Sequence, residues 1–145
     1  MTFTPRDPNF DQRVRASFAK QKFMDTLGCR LALVSPGEVH IAMSFRDDLT
    51  QQHGFLHAGA VTTALDSACG YAALSLMEPG AGVLAVEFKV NLMAPAAGKE
   101  FLAIGKVERA GKTLTVCRAE MRDGDKVVAM MQGTMMSVRT EGLSD

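Results

Sequence analysis

The chain has 145 residues, 47% of them hydrophobic, and its sixteen Lys and Arg offset sixteen Asp and Glu. That length fills one core and falls short of two ordinary domains, so a single domain over residues 1–145 is expected, with 1–8 and 140–145 flexible. Scattered basic residues without net charge exclude a polyanion-binding face, and no nucleic-acid partner is expected. The start, Met-Thr-Phe-Thr-Pro, lacks the apolar block of a secretory signal. The apolar stretch from Ala58 to Met77 is broken by Thr62, Asp66 and Ser75, which argues against a membrane span. Cys29, Cys69 and Cys117 are widely spaced and form no CxxC pair, so they read as core residues of a cytoplasmic protein without a metal site.

Phe10, Val14 and Phe18, then Phe23, Met24 and Leu27, recur at helical spacing between Arg13, Arg15, Lys20 and Lys22. This predicts one amphipathic helix that stops at Gly28. Cys29–Ser35 and Glu38–Phe45 read as strands joined by Pro36-Gly37, a pair suited to the centre of a type II turn. Val39, Ile41, Met43 and Phe45 form the apolar face of the second strand, and His40 falls on the other as a surface or interface residue. A polar loop over 46–54 leads to a helix from His57 to Met77 with apolar residues on every side, as a helix enclosed by a curved sheet has. Strands follow over Val83–Met93, Glu100–Glu108, Thr113–Arg122 and Lys126–Val138, an antiparallel run of four with tight turns at Gly111 and Asp123-Gly124. The fold class is α+β: an N-terminal helix, and a curved antiparallel sheet wrapped around one long central helix.

Asp66 stands in the middle of that helix among Ala64, Leu65, Ala68 and Cys69, where an unpaired carboxylate is costly or holds its proton to a higher pH. From position alone two readings stand: a structural Asp satisfied by Thr62 or Thr63 or facing a subunit boundary, and a catalytic carboxylate. Upstream, the glycine-punctuated run from Gln51 to Gly59 enters the helix N-terminus, whose free N–H groups and positive dipole end suit a developing oxyanion. A plain helix start with His57 as a weak cap fits the same residues.

The run Gln51-x-x-Gly54-x-x-His57-Ala58-Gly59, with Asp66 nine positions after His57, resembles the signature of hot-dog-fold acyl-CoA thioesterases of the phenylacetate-degradation (PaaI-like) type. Val86-Glu87-Phe88-Lys89-Val90-Asn91-Leu92-Met93-Ala94-Pro95 is similar to that family's central strand, and the likeness in element order runs from about Phe10 to Val138. The resemblance implies hydrolysis of an acyl- or arylacyl-CoA to the free acid and coenzyme A, with no metal and no cofactor beyond the coenzyme A of the substrate. It makes Asp66 the attacking carboxylate or the base for a water. The N–H groups of Ala58 and Gly59 become the oxyanion donors, Gln51 the group that orients the carbonyl or water, and His57 a brace. Ala58 replaces the usual first Gly of the motif, and an N–H role survives that change. Ala85 and Gly70 stand where some relatives carry a hydroxyl or another side chain, so Thr63, Ser67 or a water must substitute. The acyl group is expected near Tyr71 and Leu74, Asn91 is counted with the substrate contacts, and Lys112 in the Gly111-Lys112-Thr113 turn is the best candidate for the nucleotide phosphates, ahead of Lys89, Arg109 and Arg118.

The resemblance also implies a homodimer or homotetramer with active sites between protomers, and an apolar strand such as Val83–Met93 is hazardous as an open edge. The alternative reading is a non-catalytic acyl-CoA-binding module on the same fold, motivated by Ala85 and Gly70. A hot-dog dehydratase is a third, which His57 with Asp66 meets only loosely.

Overall fold

The computed structural model describes residues 2–143 and 145. In chain order its elements are α1 (Phe10–Lys20), α2 (Lys22–Leu27), β1 (Arg30–Ser35), β2 (Glu38–Ser44), a short 3₁₀ turn over Asp47–Leu49, α3 (Ala58–Leu74), β3 (Gly82–Leu92), β4 (Glu100–Ala110), β5 (Leu114–Asp123) and β6 (Lys126–Val138). The strands form one antiparallel sheet in the order β1-β2-β4-β5-β6-β3, and α3 packs against β2 to β6. This is the hot-dog arrangement: one helix filling the concave face of a six-stranded sheet.

The turn between β1 and β2 forms as its sequence requires, with Gly37 at φ 76° and Ser35 paired to Glu38. Val39, Ile41 and Met43 are fully buried, as their alternation dictates. The last four strands, however, do not run side by side in chain order. β3 pairs with β6 at the far edge, and β4 returns to pair with β2. The chain crosses the concave face through α3 and enters the sheet on the side opposite the hairpin, so β3 and β1 are the two edges.

The predicted single N-terminal helix is broken at Gln21, whose extended backbone (φ −77°, ψ 94°) ends α1 and starts α2. Breaking there re-aims the second segment so that Met24 and Leu27 enter the core, and Phe23 is left 57% exposed. Arg13, expected on the solvent face, turns inward instead. Its guanidinium donates to the carbonyls of Leu74 (2.9 Å), Met77 (2.8 Å) and Glu78 (2.7 Å), at and just beyond the end of α3. Asp7 pairs with it at 3.3 Å, and both side chains are buried. Within the stretch 1–8 expected to be flexible, Phe3 therefore lies against Gly37 and Asp7 inside an ion pair. In the tail, Asp145 accepts from the Ser17 hydroxyl at 2.6 Å. Met1 and Ser144, also in those stretches, lie outside the described residues.

The helix and sheet approach closely at Gly105 on β4. A Cβ there would stand 2.4 Å from the carbonyl carbon and oxygen of Ala68. Glycine is the residue that allows this separation, because its lack of a side chain lets the two backbones meet.

α3 is enclosed on all sides but one. Gly59, Thr62, Thr63, Asp66 and Gly70, spaced three and four residues apart, form a stripe that the chain itself does not bury. Beside it runs β3, almost wholly exposed, with Val86 and Leu92 each 53% open. No helix among the described residues is long and apolar enough to cross a membrane.

Because Arg13 donates to the Leu74, Met77 and Glu78 carbonyls and pairs with Asp7 away from solvent, Arg13→Ala is expected to cost about 3 kcal/mol, the range for breaking a buried pair. Chemical denaturation at fixed protein concentration measures it, and an unchanged midpoint would show that the caps of α3 are dispensable.

Candidate active site

Asp66 is half-buried in the middle of α3, and its Oδ1 is buried without a hydrogen-bond partner among the described residues. Burial alone pushes its carboxyl above the usual aspartate range. Neither Thr62 nor Thr63 satisfies it: the Thr63 hydroxyl donates to the Gly59 carbonyl at 2.8 Å, back along the helix. The structural reading in which Thr62 or Thr63 satisfies Asp66 thus lacks its hydrogen bond. Ser67 and Tyr71 join Asp66 around a cavity of about 90 Å³ whose other walls include Gly70, Val83, Ala85 and Met135. Tyr71 is buried, its ring packed on Phe18 with centroids 5.6 Å apart.

The N-terminus of α3 is built by a loop tied at several points. His57 N–H donates to Leu49 O (2.8 Å), Leu56 N–H to Ala96 O (3.1 Å) and Gln51 N–H to Phe55 O (2.9 Å). His57 is the N-cap: its Nδ1 accepts from the Gly59 N–H at 2.8 Å, which fixes the tautomer with the proton on Nε2. The Gly59 N–H is therefore engaged, and the Ala58 N–H is the donor left without an acceptor among the described residues. Gln51 folds its Oε1 back onto the His53 N–H and lines, with Phe55, Ala58, Leu92, Met93 and Pro95, a largely apolar cavity of about 360 Å³.

Helix geometry decides how these parts can be combined. Ala58 and Asp66 are eight residues apart, about 12 Å along the axis. A carbonyl whose oxygen sits on the Ala58 N–H, and whose carbon is within direct attack distance of a carboxylate, requires the two groups within about 6 Å, or about 9 Å with a water held between them. One chain cannot supply both. The open stripe around Asp66 and the adjoining apolar edge of β3 lie where a second copy could bring its own helix start.

Two of the anticipated substrate residues lie elsewhere. From Val83, simple alternation puts Asn91 on the inner face, but a bulge between Ala85 and Glu87 reverses the parity. Phe88, Val90 and Leu92 then face α3, and Asn91 faces outward opposite Met130, accepting from Lys89 Nζ at 2.7 Å. Lys112 stands at the far end of α3, in a cavity of about 450 Å³ lined also by Arg6, Glu78, Thr113 and Arg139. Arg139 pairs with Glu78, and Arg6 lies 4.0 Å from the same carboxylate. These two arginines come from opposite ends of the chain, and no local motif announces them. Among the described residues there is no group of three or more His, Cys, Asp or Glu placed to hold a metal ion, and all three cysteines are buried and free.

The family described as the thioesterase superfamily matches residues 53–130, which contain both the loop into α3 and Asp66. Human acyl-coenzyme A thioesterase 13 is 30% identical over 111 residues, 74% of this chain and 78% of that protein. The crystal structure of a thioesterase family protein from Silicibacter pomeroyi is 51% identical, superposes with a TM-score of 0.87, and covers 90% of this chain and 99% of its own. The E. coli PaaI protein from the phenylacetic acid degradation operon, at 22% identity, has the same fold, with a TM-score of 0.83 over 90% of this chain and 94% of that one. On the family match and the relatives together, this chain belongs to the thioesterase superfamily.

Proposed function

We propose that this protein hydrolyses acyl-CoA thioesters to the free acid and coenzyme A, at sites that each join Asp66 of one copy to the helix start of another. The observation that carries this reading is the pairing of a buried carboxylate lacking a partner with an unengaged helix-terminal N–H that its own chain holds too far away. The relation to acyl-coenzyme A thioesterase 13 supports the substrate class.

In this reading the thioester oxygen rests on the Ala58 N–H, where the helix dipole stabilises negative charge. Asp66, more basic than an exposed aspartate, takes a proton from a water as the water oxygen bonds to the carbonyl carbon. The tetrahedral intermediate collapses with loss of the thiolate of coenzyme A. The thiolate takes the proton from Asp66, which returns to its carboxylate form, leaving acid and thiol. No metal or redox step enters this sequence. His57 holds the loop through its cap on Gly59, and Ser67 is the hydroxyl closest in the chain to Asp66 that can hold the water. Lys112, with Arg139 and Arg6, offers cationic groups for the phosphates.

Ala58→Pro tests the oxyanion donor directly. Ala58 is the first residue of α3, where proline is tolerated, and His57 already has the extended backbone (ψ 139°) that a following proline demands. Thiol release should fall about 100-fold in Ala58→Pro, the cost of one oxyanion donor, and by a comparable factor in Asp66→Asn. Co-expressing the two inactive variants should restore about a quarter of wild-type activity if active dimers each regain one intact site. A mixture that stays inactive places both groups in one chain or assigns them no role. Saturable acyl-CoA binding without thiol release in the wild type would identify a binding module instead.

Lys112→Ala is expected to raise KM for an acyl-CoA about tenfold and to leave KM for the corresponding acyl-pantetheine unchanged, since only the former carries the phosphates. Equal effects on both would exclude a phosphate contact.

The raised pKa of Asp66 fixes a sign for pH dependence. Above its folded-state pKa the buried charge costs stability, and below about pH 4 both folded and unfolded states hold the proton and the cost vanishes. Asp66→Asn should therefore gain stability over wild type as pH rises from about 4, and the acid limb of kcat/KM should lie above the ordinary aspartate range. Thermal melts of both proteins across pH check this; a difference that does not vary with pH contradicts it.

A further inference from the structure

Gly70 lies inside α3, one turn after Asp66 and on the same face. Glycine weakens a helix interior relative to alanine, and two structural reasons ordinarily retain it there: a left-handed backbone, or a neighbour too close for a Cβ. Neither applies. Gly70 is not among the glycines of positive φ, and a Cβ built on it would meet no neighbouring atom within 4 Å. Gly105 on β4 provides the contrast against the same helix, since its Cβ would collide with the backbone of Ala68. The room left by the missing side chain of Gly70 is part of the cavity beside Asp66, where Val83, Ala85 and Met135 supply apolar walls and Gln21, Ser67 and Tyr71 stand with them. Gln21, at the break between α1 and α2, stands exposed at its mouth. At about 90 Å³ the cavity is smaller than the roughly 150 Å³ that holds a benzene ring.

We propose that Gly70 determines acyl specificity: it keeps open a pocket beside Asp66 for a short apolar acyl chain, which runs from the reacting carbonyl along α3 toward Tyr71. This rests on the thioesterase reading and narrows it, from acyl or arylacyl groups to short acyl chains.

The experiment compares kcat/KM for thiol release from acetyl-, butyryl-, hexanoyl- and phenylacetyl-CoA by wild type, Gly70→Ala and Gly70→Val, with the assembly state of each followed by size-exclusion chromatography. Wild type is expected to prefer butyryl-CoA to phenylacetyl-CoA. The ratio of butyryl to acetyl activity should fall about tenfold in Gly70→Ala and further in Gly70→Val, the scale of discrimination that one or two methyl groups supply. Gly70→Ala should melt at or above the wild-type temperature, since alanine favours the helix. An unchanged ratio, a uniform loss across the panel, or loss of assembly in Gly70→Ala overturns the proposal, the last because the glycine would then serve subunit approach. If wild type releases thiol from none of the four, the thioesterase reading fails separately. Calorimetric binding of the same esters then still reports on Gly70, and an affinity ratio unchanged by Gly70→Val overturns the pocket as well.

Discussion

Everything in this protein is arranged around one helix whose polar backbone must be satisfied inside the fold. α3 fills the concave face of the sheet, with its C-terminal turn buried and its N-terminal turn, from His57 to Gly59, open to one side. At the C-terminal end Arg13 reaches across from α1 and donates to three carbonyls, with Asp7 balancing its charge. At the N-terminal end His57 takes one N–H and leaves its neighbour free. One end is closed for stability. The other is left incomplete, and an unfilled donor at the positive end of a helix dipole is a source of binding energy for an oxyanion.

Asp66 shows the same asymmetry in its own terms. A partnerless carboxylate at that depth weakens the fold at neutral pH, and apolar walls make the loss larger. The surrounding core, from Leu65 and Ala68 to Met131 and Met135, is what tolerates it. The open stripe of α3 and the exposed length of β3 extend the pattern to the surface, because burying either requires a second molecule. Site and assembly are thus one problem: the surface that stays unburied in the single chain is the surface beside the reactive group.

How much of this could be read from the residues follows from the range of each signal. The hairpin, the central helix and the last strands are local patterns, and their positions agree with the alternation and spacing that mark them. The break at Gln21 is invisible locally, because Lys20, Gln21 and Lys22 all favour helix. It exists to bring Met24 and Leu27 into a core assembled from distant segments. The sheet order is equally non-local, set by where α3 delivers the chain. In the site, the loop from Gln51 and the helix that carries Asp66 were legible together, since they are continuous in sequence. Asn91 faces away from α3 because one bulged residue reverses the face of every residue beyond it, and no local pattern announces the bulge. Arg6 and Arg139 join Lys112 only through folding, and the role of His57 as acceptor for Gly59 needed coordinates to distinguish it from a brace on the substrate.

The contact at Gly105 ties these observations to the tolerance of the chain for change. Ala68, whose carbonyl Gly105 nearly touches, is two residues from Asp66. The distance between sheet and helix at that point therefore sets the depth of the carboxylate, and α3 is too stiff to absorb a displacement at one turn without passing it to the next. A methyl group added on a strand, remote from any substrate, would act as a wedge under the whole helix. The position of the Asp66 carboxylate is in this sense held from behind by an absent side chain, and sequence drift on the hidden face of β4 is constrained by a polar group on the opposite side of the helix.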